Sequence, residues 1–137
     1  MISNPNAGWC DFKLGTFEGT PSYTTDVPVD LLTAFIDYHY KGTGMAWFDE
    51  EGSEFTLILT PYSLFIIEEN EEAESILHDF SKMNIRDLEK ELIEDIEKDL
   101  NNWVKEFTVL DDDQEELLQH RNEIRQKIAI LKEMILK

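Results

Sequence analysis

The segment Met45-Ala46-Trp47-Phe48-Asp49-Glu50-Glu51-Gly52-Ser53-Glu54-Phe55-Thr56-Leu57-Ile58-Leu59-Thr60 decides the fold. Two apolar runs, Met45 to Asp49 and Glu54 to Thr60, flank a short acidic stretch with a glycine, the pattern of an antiparallel hairpin. Pro61 and Tyr62 break the chain. Ser63 to Glu69 then adds a third run, whose Leu64, Phe65, Ile66 and Ile67 suggest a strand covered on both faces. After the acidic turn Glu69 to Glu74, Ser75 to Lys82 reads as a fourth strand. Its Ile76, Leu77, Phe80 and Met83 also suit a short helix, but Asn84 makes a good N-cap for the element that follows, with Asp87 at the third helical position.

Upstream of the hairpin, Asp26-Val27-Pro28 starts a helix that runs from Pro28 to Lys41 and ends at Gly42. Trp9 to Leu14 reads as a short strand, and Gly15 to Thr25 as loop. Downstream, Leu88, Leu92, Ile93, Ile96, Leu100, Trp103, Val104 and Phe107 recur at threes and fours, which predicts one helix over 85–107. Thr108 to Asp113 breaks it, and Gln114 to Leu136 forms the last helix, with Leu117, Ile124, Ile128, Leu131 and Ile135 as its apolar stripe. The expected fold is a single α+β domain over 1–137. It has a small antiparallel sheet of four to five strands, one N-terminal helix, and a C-terminal two-helix hairpin packed on the sheet. Residues 1–84 supply mainly sheet with one helix, and 85–137 the helical hairpin. Trp47, Phe48, Leu57, Leu59, Phe65, Ile67, Leu92, Ile96 and Trp103 are expected to contribute to the core, with strand alternation turning some of the strand residues outward.

Charge sets the class of partner. The chain carries 30 Asp and Glu against 12 Lys and Arg, a formal net charge of −18. The distribution is uneven: residues 1–116 hold 28 acidic and 7 basic side chains, a net of −21, and residues 117–137 hold 2 acidic and 5 basic, a net of +3. Such a field disfavours nucleic acid and anionic membranes as partners and speeds encounter with a basic protein. Cys10 is the only cysteine, so no internal disulfide can form, and Met1 to Gly8 has no signal-like apolar stretch. A cytoplasmic protein is expected.

A search for chemistry finds none that stands out. His39, His78 and His120 are scattered, and Lys41-Gly42-Thr43-Gly44 lacks the spacing of a nucleotide loop and suits a helix C-cap. Asp49 to Glu54 lacks the spacing of a calcium loop. No catalytic residue, cofactor or metal is therefore assigned. Glu91, Asp95 and Asp99 recur every four residues and should share one helix face, where they would present carboxylates to cations.

The segments Val27-Pro28-Val29-Asp30-Leu31-Leu32 and Trp47-Phe48-Asp49-Glu50-Glu51-Gly52-Ser53-Glu54-Phe55 resemble the small acidic immunity proteins of bacterial contact-dependent inhibition and other polymorphic toxin systems. That resemblance implies a cytoplasmic, non-catalytic protein that binds and neutralises the toxin domain of its own system, commonly a nuclease. Partner-binding candidates are Glu69, Glu71, Glu72 and Glu74, then Asp49, Glu50, Glu51 and Glu54, with Asp95, Asp99 and exposed Tyr62 as additions. The two acidic turns are expected at opposite edges of the sheet, with Glu69 to Glu74 at the centre of contact. The alternative is a homodimer that associates through the C-terminal helix.

Overall fold

The chain, described over residues 1–137 in a computed structural model, begins with strands β1 (Ile2–Asn6), β2 (Trp9–Leu14) and β3 (Phe17–Gly19). Helix α1 (Val27–Lys41) leads to β4 (Gly44–Asp49), β5 (Ser53–Thr60), β6 (Ser63–Asn70) and β7 (Ile76–Asp79). Helices α2 (Ile85–Glu97), α3 (Leu100–Glu106) and α4 (Gln114–Ile135) complete it. The α+β class stands, but the layout differs from expectation: there are two antiparallel sheets, ordered β1-β2-β3 and β4-β5-β6-β7.

The extra sheet is built on β2, the strand expected over Trp9 to Leu14, and on two flanking strands whose character is concealed. In β1, Asn4 sits at a φ of 55° beside a register irregularity between Ser3 and Asn6, and Pro5 interrupts the apolar pattern. Proline is tolerated because β1 is an edge strand. Ala7 and Gly8, at φ values of 53° and 78°, make the tight turn into β2. β3 falls within the stretch expected to be loop; its three residues place Phe17 inward.

The two sheets meet through aromatic rings. Phe12 and Phe17 face Phe48 and Phe55, with the Phe12–Phe55 and Phe17–Phe55 centroids each 5.0 Å apart. α1 closes the core on the inner side of β4. Gly44 makes that approach possible, since a β-carbon there would lie 1.9 Å from the Ala34 carbonyl oxygen. Asp26 caps α1 by accepting the Val29 N–H, and Gly42, at a φ of 83°, ends it.

The helix expected over 85–107 is divided. The Asp99 N–H turns to the Ile96 carbonyl, and the Asp95 carbonyl thereby freed accepts the indole N–H of buried Trp103 at 3.1 Å. Apolar periodicity continues across such a break, which is why α2 and α3 read as one. α2 and α3 pack on β1, while α4 packs on α1, α2 and α3. Ile124, Ile128, Leu131 and Ile135 are thus buried within the chain, as expected of a packed stripe, but against the other helices rather than against the sheet.

Candidate functional site

β4–β7 is a meander in which the short Pro61–Tyr62 turn separates the two acidic turns. The acidic turns are therefore first and third, not consecutive, and lie at the same end of the sheet. This corrects the expectation that they occupy opposite edges. Pairing makes the convergence specific: Asp49 stands opposite Glu54, and Glu54 opposite Glu69. Asp49, Glu54, Glu69 and Glu71 line one concavity of about 270 Å³ with Gly52, Ser53 and Asn70. Its lining contains no apolar residue.

Local hydrogen bonds hold this end in shape. Asp49 accepts the Glu51 N–H, and Asn70 accepts the Glu72 N–H. Glu51, at a φ of 57°, and Gly52, at 128°, turn the hairpin. Glu50 points elsewhere: it accepts the Thr20 N–H at 2.9 Å and the Ser53 hydroxyl, tying the hairpin tip to the first sheet. Glu72 and Glu74 are exposed beyond the concavity.

The other candidates disperse. Tyr62 is 92% exposed but lies in the turn at the opposite end of the sheet from Glu69 and Glu71. Asp95 is largely buried and engages the amino group of Met1 at 2.7 Å and the Ile2 N–H at 3.2 Å, with Glu91 binding the same amino group. Asp99 accepts a hydrogen bond from Asn102 at the start of α3. These carboxylates serve the attachment of β1 to α2 and the α2–α3 turn, so the expected cation-facing row is not formed as an open surface.

Each histidine is paired with a carboxylate. His39 Nε2 lies 2.8 Å from Glu89 Oε1, and His78 Nε2 lies 3.0 Å from Glu68 Oε1. Burial pushes the Glu89 carboxyl above its usual range, against the lowering influence of His39 and Arg86. His120 Nε2 lies 2.7 Å from Asp26 Oδ2, and its Nδ1 lies 2.7 Å from the Thr108 hydroxyl, so this α4 ring joins the start of α1 to the segment that follows α3.

The residues that sequence reasoning misplaced are on the outward face of the same sheet. Beside the acidic row Asp49, Glu54 and Glu69 runs a row of Trp47, Thr56, Ile67 and Leu77, followed by Met45, Ile58, Phe65 and Asp79. Trp47, Phe65 and Ile67 were expected in the core. Trp47 is 41% exposed, and Phe65 and Ile67 are only half-buried, so β6 is covered on its Leu64 and Ile66 face alone. The available signal was register parity, since Trp47 and Ile67 share the strand face of Asp49 and Glu69.

No protein-family model matches this sequence, and no curated protein or solved structure matches it. No helix is long and apolar enough to cross a membrane.

Proposed function

We propose that this protein is an immunity-type inhibitor that binds the toxic domain of its own system, a basic nuclease-like domain, and blocks it by occupying the surface that would engage phosphate. The observation that carries this reading is the convergence of the two acidic turns at one end of the β4–β7 sheet, with Asp49, Glu54 and Glu69 in a cross-strand row. Like charges opposed across strands oppose folding by a fraction of a kilocalorie. Retaining three in a row has a use if a cationic partner neutralises them.

The remainder of the charge supports the same conclusion. Residues 1–116 carry a net of −21, so a basic partner is drawn to this body before contact. Steering of this kind raises association from about 10⁵–10⁶ to as much as about 10⁸–10⁹ M⁻¹s⁻¹ at low salt. The deciding experiment screens proteins encoded by neighbouring genes as toxin candidates and measures association of each by stopped flow over a salt series. Growth protection on co-expression is measured in parallel. Fast, salt-sensitive association with protection supports the proposal; absence of binding and protection overturns it.

A further inference from the structure

Antiparallel sheets with one covered face usually alternate apolar residues inward with polar residues outward. The β4–β7 sheet departs from this in its two central rows. Met45, Trp47, Ile58, Phe65, Ile67 and Leu77 all share the outward face, while Ala46, Phe48, Phe55, Leu57, Leu59, Leu64 and Ile66 already fill the inner one. Met45 is 66% exposed and Leu77 57%. α1 lies against the inner side of β4, and α2, α3 and α4 pack on β1, on α1 and on one another. Contiguous apolar patches of this kind, rimmed by polar groups, mark interaction surfaces.

We propose that this outward face is the apolar centre of a protein-docking surface whose occupant is a protein patch with aliphatic or aromatic side chains, bordered on one side by Lys or Arg. The inference rests on the immunity-type reading for the partner's charge, and adds where its contact is centred. Charge complementarity selects the occupant. The acidic row Asp49–Glu54–Glu69 adjoins the Trp47–Ile67–Leu77 row directly, so a partner seated on the apolar rows brings its edge against three carboxylates. A basic edge is attracted there. A second copy of this chain, itself at −18, is repelled, as are anionic lipid and nucleic acid. The arrangement also matches interface anatomy, in which a large aromatic anchor near the centre supplies affinity and rim charges supply rate. Trp47 is that anchor.

The test uses two synthetic twelve-residue peptides of equal charge, one alternating Lys and Leu, the other Lys and Ser. Binding is followed by tryptophan emission against a Trp47→Phe reference, with affinities measured at low salt. The Lys–Leu peptide is expected to bind at least about tenfold more tightly than Lys–Ser, a difference of about 1.4 kcal/mol, and to shift Trp47 emission to the blue. Combined Ile58→Thr and Ile67→Thr changes keep strand-favouring residues on the sheet and should remove that preference. Leu118→Ser, at an exposed position of α4, should retain it. Far-UV circular dichroism and thermal midpoints confirm that each variant folds. Equal affinity for the two peptides, or a preference indifferent to the Thr changes, overturns the apolar centre and leaves the acidic reading standing. Failure of both peptides to bind removes the charge basis of both. Sedimentation showing a dimer that Trp47→Thr dissolves would make the occupant a second copy and overturn the proposal.

Discussion

Glu54 and Glu69 are direct cross-strand partners on the outward face of the β5–β6 pair, with Asp49 opposite Glu54 on the other side. Replacing Glu69 by Lys turns a like-charge pair into an opposite-charge one. Such pairs are worth about 0.2–1 kcal/mol, so Glu69→Lys should raise the unfolding free energy by that amount, seen as a higher denaturant midpoint at unchanged slope. The triple change Glu69→Lys, Glu71→Lys and Glu72→Lys should slow association with the proposed toxin partner and flatten its salt dependence. A variant that folds at least as well and binds more slowly separates recognition from stability; an unchanged association rate would remove this surface from the interface.

Among the glycines, Gly44 makes the tightest approach to another element. Because the clash in Gly44→Ala is with the Ala34 carbonyl rather than a movable side chain, the helix must shift off β4. A loss of about 3 kcal/mol or more in urea unfolding is expected, at the upper end of what overpacking costs. A loss below about 1 kcal/mol would show that α1 can shift without penalty.

Leu92 of α2 is fully buried. Leu92→Ala should lower stability by about 2–5 kcal/mol, with the spread set by how far the site collapses around the cavity. Equilibrium denaturation with intact partner binding by the folded fraction would place the whole effect in the core.

His120 titrates above its ordinary 6.5: burial of the ring opposes the charge, but the hydrogen bond and charge of Asp26 prevail, helped by the Val104 carbonyl and Glu123. A raised folded value means that this stabilisation is fully present below the unfolded value of about 6.5 and is lost as pH rises through the higher folded one. Asp30 behaves with the same sign. Its burial, with Asp26 and Glu123 nearby and Lys127 opposing, raises it from 3.8 to about 6, so its contribution falls between those two pH values. Stability measured against pH should therefore decline less steeply in Asp30→Asn than in the wild type from about pH 4 to 6, and less steeply in His120→Gln above about pH 6.5. Parallel curves in either window would contradict the assignment.

Cys10 is buried, and desolvation together with Asp11 pushes its thiol up to about 12. The native protein should be inert to a thiol-specific disulfide reagent at pH 8 and should react within the unfolding transition. Rapid reaction under native conditions would indicate local opening of β2.

How much could be read in advance depended on whether apolar pattern alone decided the element. α1, β4–β6 and α4 were legible because caps, turns and periodicity agreed at Asp26, Gly42, Gly52 and Asp113. β1 was not, because Asn4 and Pro5 hide a strand that needs β2 for its definition. The α2–α3 break was equally hidden: it depends on Trp103 reaching the Asp95 carbonyl, a contact eight residues apart. The acidic turn residues could be named from the sequence, but their convergence at one end of the sheet could not, because it depends on the order of the turns in the meander, and Asp95 was assigned outward when it holds the start of β1. Trp47 shows the ambiguity of a strand with apolar residues on both parities: only the neighbouring charges tell which side is open.

β4 divides its residues by what may change. Gly44, Ala46 and Phe48 are fitted against α1 and the aromatic core, whereas Met45, Trp47 and Asp49 stand on the outward face beside them. Mutational freedom therefore alternates along a single strand. Substitutions at positions 45, 47 and 49 can recast the outward surface one residue at a time while positions 44, 46 and 48 keep the same scaffold.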